Sequence, residues 1–252
     1  MNEPEDKLFT ARLGDMVSRC ERDGCPVFSS FLDERQCAAA ELWCAKNCGG
    51  LRYMLWGGFD EARRKMLAVY PDYCQDYIRE EFPFVCLTFD FRREDRLTHR
   101  DFLGSFMGMR LKREAIGDIA VSEGMAQAFV TQVAAKLITS EAVKIGRVGV
   151  KMTLGRPFEL DQAQQYKEIG GTVASLRLDC VVSLAANISR EKAAGLIRSD
   201  KVEVNHFPPS GVSQELHEGD VLSVRGSGRF ILSGIGGETK KGRIHINLRK
   251  FI

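Results

Sequence analysis

Twelve side chains near the C-terminal end of this 252-residue sequence have the types and spacing to hold a polyanion. They are Arg177, Ser189, Arg190, Lys192, Arg198, Lys201, Asn205, Arg225, Arg229, Lys240, Lys241 and Arg243. Guanidiniums match phosphate oxygens two at a time, whereas lysines act as point charges. Arg190, Ala194 and Arg198 recur at i, i+4 and i+8, with small Ala194 and Gly195 between the arginines, so a phosphate backbone can approach closely. Ser189 stands where it would cap that helix, and a helix N-terminus carrying Arg190 and Lys192 is itself an anion site. Asn205 ends the strand Val202–Val204 and suits a turn as readily as a ligand, so a structural role is favoured there. Arg225-Gly-Ser-Gly-Arg229 and Thr239-Lys-Lys-Gly-Arg243 extend the basic surface.

The elements that must position these groups follow from apolar periodicity. Leu178, Val181, Val182, Leu184 and Ala185 form one face of a helix, with Asp179 in its first turn, and Ala193, Leu196 and Ile197 face inward from the next. Gly219-Asp220 reads as a turn into a further strand. Upstream, Glu159–Ser175 is a polar bridge containing Gly170-Gly171 and is taken as a boundary. Before it, Phe84–Phe89, Asp101–Met109, Ile116–Val121, Ala126–Val130, the run from Val133 to Val143, and Val148–Leu154 give the order β-α-β-β-α-β of ferredoxin-like and RNA-recognition folds. Ala126–Val130 carries one aromatic, Phe129, where base stacking on such a sheet needs a pair, so a packing or partner-docking role is expected.

The N-terminal part is expected to begin with a helix through Phe9, Leu13, Met16, Val17 and Cys20, closing near Gly24. A second helix follows, with Asp33 as N-cap and Gly49 just past its end. Leu51–Trp56 reads as a strand; 61–70 fits helix or strand and ends at Pro71. The expected fold class is α+β in three small domains: an N-terminal α/β domain (1–80), a central ferredoxin-like domain (81–172) and a basic, polyanion-binding domain (173–252).

The net charge of +2 conceals a gradient. Residues 1–85 hold eleven basic against fifteen acidic groups, residues 86–175 thirteen against eleven, and residues 176–252 twelve against eight. Such asymmetry points to a nucleic-acid or membrane-surface partner at the C-terminal end. No run of eighteen apolar residues occurs and the acidic start is unlike a signal peptide, so a cytoplasmic location is expected. The eight cysteines include no Cys-x-x-Cys; Cys37, Cys44 and Cys48 share a helical stripe, which favours buried thiols over zinc.

Leu178-Asp179, Ser189-Arg190, Lys192-Ala193, Leu196-Ile197, Val204-Asn205, Gly219-Asp220 and Ser223-Val224-Arg225 resemble the RNA-binding domain of ribosomal protein S-four, the alpha-L motif. Arg225-Gly-x-Gly-Arg229-Phe230 with Thr239–Arg243 resembles, more narrowly, the YlmH family of bacterial RNA-binding proteins. His99–Gly104, Lys112-Arg113-Glu114, Ile116–Ile119, Phe31–Asp33 and Gly57-Gly58 extend the likeness over nearly the whole chain. Asp200 replaces the usual Gly of its turn, and His206–Pro209 and Arg63 also depart from the pattern. The resemblance implies a monomeric, cytoplasmic, non-catalytic factor without cofactor or metal. It further implies binding of structured rRNA, and of tRNA, on a large ribosomal subunit carrying stalled peptidyl-tRNA, as part of ribosome quality control.

Two other function classes share some of these features. Pseudouridine synthases often carry the same small domain and need a catalytic Asp in an Arg-Leu-Asp context. Arg177-Leu178-Asp179 supplies those letters, but inside the RNA-binding module, where a helix-start carboxylate is expected. A protein-interaction scaffold is compatible with RNA binding. The sequence lacks Gly-x-Gly-x-x-Gly after a strand, a P-loop and a Gly-x-Ser-x-Gly elbow, and His99-Arg100-Asp101 lacks the other parts of a kinase.

Overall fold

The computed structural model describes residues 3–141, 144–155, 166–239 and 242–251, in two compact units, 1–162 and 163–252. In the first unit, α1 (Glu3–Asp23) leads through β1 (Val27–Phe28) to α2 (Glu34–Asn47), β2 (Arg52–Trp56) and β3 (Met66–Tyr70). Asp33 caps α2 by accepting from Gln36 N at 2.8 Å while the Gln36 side chain accepts from Asp33 N, and Gly49 past its end is left-handed. The ambiguous stretch before Pro71 is therefore strand where it is ordered into an element, and the antiparallel sheet runs β1-β3-β2. Leu67 and Val69 of β3 pack with Leu13, Cys20, Cys37 and Cys44 under the helices. Burial pushes the Cys37 thiol up to about 11 and the Cys44 thiol up to about 12, which keeps both protonated and inert.

The expected split pattern follows: β4 (Phe84–Asp90), α3 (His99–Gly108), β5 (Ile116–Ser122), β6 (Met125–Thr131) and α4 (Gln132–Glu141). The stretch read as one final strand divides into a small hairpin, β7 (Lys144–Ile145) with β8 (Val148–Gly149), and the sheet strand β9 (Lys151–Leu154). Left-handed Gly146 makes the hairpin turn that separates them. The sheet order is β5-β6-β4-β9, antiparallel throughout, with Phe102, Phe106 and Ile138 from its helices packed on Leu87, Phe89 and Val130.

The opposite face of this central sheet is not open. Cys86 and Phe129 pack with Phe31, Met66, Ala68, Tyr70, Ile78 and Phe82 in one buried cluster. Residues 1–80 and the central sheet thus share a core, contrary to the expectation of two separate domains. β3 explains why: all five of its residues are buried, alternate ones facing the helices or the second sheet. Gly58 adopts φ +98 against the Phe129 ring, and a Cβ there would collide with it.

The second unit begins earlier than the sequence suggests. The glycine-containing bridge holds β10 (Tyr166–Val173), which pairs along its length with β14 (Ile244–Phe251). Between them come α5 (Leu178–Ala185), α6 (Arg190–Arg198), β11 (Val202–Val204), β12 (Val221–Val224) and β13 (Gly228–Glu238). The sheet order is β10-β14-β13-β12-β11. Leu178, Val181, Val182, Ala193 and Ile197 seal one sheet face onto Leu222, Phe230, Leu232, Ile246 and Leu248. Gly171 permits close contact of β10 with α5, because a Cβ there would lie 2.5 Å from a Leu184 methyl.

Candidate nucleic-acid interface

The second unit displays its cations by tying down a carboxylate beneath them. Asp179, 4% exposed, accepts from Arg190 Nε at 2.6 Å and Arg177 Nε at 3.2 Å. Burial opposes ionisation of Asp179, yet the two guanidiniums prevail and hold its carboxyl below the usual carboxylate range. Arg190, with about half its side chain exposed (53%), is thereby fixed at the start of α6 with further donors turned to solvent. Ser189 caps the same helix, its Oγ accepting from Lys192 N at 3.2 Å. Lys192 and Arg198 are exposed along α6, and the Ala194 beside them is small.

The sheet edge continues this surface. Arg225 N donates to Lys201 O at 2.9 Å, so the backbone of the turn after β12 holds these two exposed cations next to one another. Asn205 has a structural role: it adopts φ +50, donates to Asp220 at 2.7 Å and accepts from Val221 N at 2.9 Å. Both turn readings, Asn205 and Gly219-Asp220, thus meet in one hydrogen-bonded corner.

Two expected ligands lie elsewhere in the unit. Arg229 projects from the sheet face opposite the helices, its guanidinium 4.7 Å from the Phe251 ring centroid. Arg243 donates to Thr172 Oγ1 at 3.1 Å and Thr172 O at 2.6 Å, fastening the first strand of the unit to the β13–β14 hairpin. Arg225 and Arg243 stand at opposite ends of β13, whose eleven residues span roughly 30 Å at about 3.3 Å each. Their closeness in sequence suggests one platform, which the length of β13 divides. Lys240 and Lys241 lie outside the described residues.

A shallow groove of about 660 Å³ adjoins the Arg225 end of the sheet, lined by Lys167, Lys250, Asn187, Gly226 and Ser227 among others. Lys167 and Lys250 carry no motif of their own in the sequence. They became neighbours only because β10 and β14 pair, Lys167 opposite Lys250.

The first unit uses basic residues differently. Arg64 donates to Ile116 O at 2.9 Å, Phe31 O at 3.2 Å and Arg113 O at 3.3 Å. Arg113 donates to Ile116 O at 2.6 Å and Gly117 O at 3.3 Å, and burial lowers its pKa to about 10. Asp118 accepts from the backbone N–H groups of Arg63 at 2.6 Å and Arg64 at 3.3 Å, and burial raises its carboxyl pKa despite those bonds. The His99-Arg100-Asp101 triplet is a helix start: Asp101 accepts from Thr98 N at 2.8 Å and Thr98 Oγ1 at 2.6 Å. Burial, with Arg113 nearby, lowers the pKa of His99.

Comparison with known proteins bears on both units. A family model described as "Putative RNA-binding domain in YlmH" matches residues 79–156, the stretch from β4 to β9. The Bacillus subtilis (strain 168) protein called "Ribosome-associated protein quality control protein P2" is 32% identical over 226 residues, covering 88% of this chain and 86% of that protein. A solved structure described as "Cell division protein ylmH from Streptococcus pneumoniae" matches with a TM-score of 0.52 at 25% identity, over 63% of this chain and 94% of that one.

Proposed function

The chain belongs to the YlmH family of RNA-binding proteins, and from that premise we propose that it is a non-catalytic factor gripping structured RNA on the ribosome. The observation that carries this reading is the Asp179 clamp, which fixes Arg190 at the capped start of α6. Lys192, Arg198, Lys201 and Arg225 add exposed charge along the same helix and the adjoining sheet edge. Backbone phosphates and duplex shape, rather than base edges, are what such a surface reads.

The quality-control role in the relative's name supports a ribosomal target here, and with it a cytoplasmic location. We take that target to be the large subunit carrying stalled peptidyl-tRNA, as the family resemblance implies, with the protein acting as a monomer. The buried, doubly paired Asp179 also favours a binder over a pseudouridine synthase, since its carboxylate faces arginines rather than a substrate cavity. No helix among the described residues is long and apolar enough to cross a membrane.

The test is binding of a blunt RNA duplex across a salt series. Replacing Lys192, Arg198 and Arg225 together by alanine should weaken binding and reduce the logarithmic salt slope by roughly one unit per lost phosphate contact. Unchanged affinity and slope in this triple variant would remove the proposal. Sedimentation with crosslinking then tests the ribosomal target: the protein should travel with large subunits and crosslink to their RNA or to tRNA.

A further inference from the structure

The face of the second unit's sheet that points away from α5 and α6 has a composition unlike a plain solvated surface. At the end nearest Arg225, Tyr166 of β10 stands opposite Phe251 of β14, their rings 5.2 Å apart and edge to face. Arg229 of β13 lies over the other side of this pair, 4.7 Å from the Phe251 centroid. The next row holds Arg249, 5.9 Å from the Tyr166 ring and paired at 2.8 Å with Glu168. Two aromatic rings therefore sit between two guanidiniums on three adjacent strands, which neighbour one another at about 4.8 Å spacing. Tyr166 remains 38% exposed and Arg249 51%.

The surface beyond these rows is polar. Asn247 of β14 is flanked by Gly170 of β10 and Gly234 of β13, so its exposed amide has no neighbouring side chain in its row. An amide between two glycines can donate and accept at once, as the edge of a base requires. Arg229 follows the Arg225-Gly-Ser-Gly turn in the chain, which makes this face continuous with the end of the phosphate-gripping edge.

We propose that this open sheet face stacks unpaired bases of an RNA strand, with Tyr166 and Phe251 as the platform and Arg229 and Arg249 flanking it. Aromatic rings and guanidinium planes on a sheet bind single strands because every base offers a π-face, while the cations meet the backbone. The inference rests on the RNA-binding reading above but uses a different face and a different form of RNA. It also sets the central sheet apart from the C-terminal one: the first buries Phe89 and Phe129, and the second leaves Tyr166 exposed.

The experiment compares fluorescent hexauridylate with a blunt RNA duplex, using the full chain and its Tyr166→Leu, Tyr166→Trp and Arg190→Ala variants. Tyr166→Leu should weaken hexauridylate binding about tenfold with an unchanged salt slope and leave duplex binding within about twofold. Tyr166→Trp should restore or improve hexauridylate binding. Arg190→Ala should weaken the duplex and spare the stacking contribution, so failure of the duplex reading registers separately. Equal hexauridylate affinity in wild type and Tyr166→Leu overturns the proposal, as does an intact protein that binds duplex but no hexauridylate. Thermal melting of each variant verifies folding. Photocrosslinking of wild type to 4-thiouridine RNA supplies an independent readout: adducts on β10 or β14 support the stack, and adducts confined to α6 overturn it.

Discussion

Arg64 and Arg113 in the first unit, and Arg198 and Arg225 in the second, are the same side chain put to opposite uses. The first pair turns inward and spends its donors on carbonyl oxygens of Phe31, Arg113, Ile116 and Gly117, knitting the N-terminal sheet to the central one. The second pair stands in solvent on backbone that is itself well fixed. Arg190 is intermediate, with one nitrogen committed to Asp179 and the rest of the group exposed. Charge counts cannot distinguish these uses. What does distinguish them is whether neighbouring carbonyls have other donors, and that is fixed by the tertiary fold.

The comparison can be broken by substitution, and the largest effect should come from the inward arginines. Arg64→Ala strips donors from three partly buried carbonyls and should cost about 3 kcal/mol. In a unit of this size that is a fall in melting temperature of roughly 6–12 °C. Arg64→Lys should recover little, since an ammonium lacks the planar fork that reaches separate acceptors. Calorimetry on the full chain should register the loss in the transition of the first unit, leaving the RNA salt slope per folded molecule unchanged.

Next in size, Asp179→Ala removes the anchor of Arg190 and Arg177. It should cost the second unit about 1–2 kcal/mol and weaken duplex RNA binding as Arg190 loses its fixed position. The pH dependence carries the same signature. The folded pKa of Asp179 lies below its unfolded value, so its contribution is fully present above the unfolded pKa, about 3.9. That contribution is lost as pH falls through the folded value. Acid titration below about pH 4 should therefore flatten for the second unit in Asp179→Asn, by comparison with wild type.

The smallest stability effect belongs to the outward residues. Arg198→Ala and Arg225→Ala should change stability by less than about 0.5 kcal/mol while each lowers the RNA salt slope by roughly one unit. A melting shift as large as that of Arg64→Ala would erase the distinction between the two groups.

Much of this architecture was legible in the sequence where one chain segment determines its own periodicity. The Asp33 and Ser189 caps, the split pattern of the central sheet and the two helices under the basic edge all rest on local spacing. The failures are equally specific. Tyr166–Val173 alternates little and contains paired glycines, so it reads as a linker; it is a strand because β14 supplies its hydrogen bonds from some 80 residues away. Phe129 is correctly a packing residue, but its partners Phe31 and Phe59 come from loops of the N-terminal part, which periodicity does not reveal. Arg243 and Arg225 look equivalent in a charge count, and only the length of β13 separates them.

That outer strand also sets a schedule. The sheet of the second unit cannot complete until the last strand has been made, because β10 pairs only with β14 and waits while about 70 intervening residues are synthesised, several seconds at bacterial elongation rates. The helices and the meander of β11, β12 and β13 have local partners and can form first. A nascent chain would thus acquire its charged edge before its aromatic face, and the order in which the two surfaces mature follows from which strand closes the sheet.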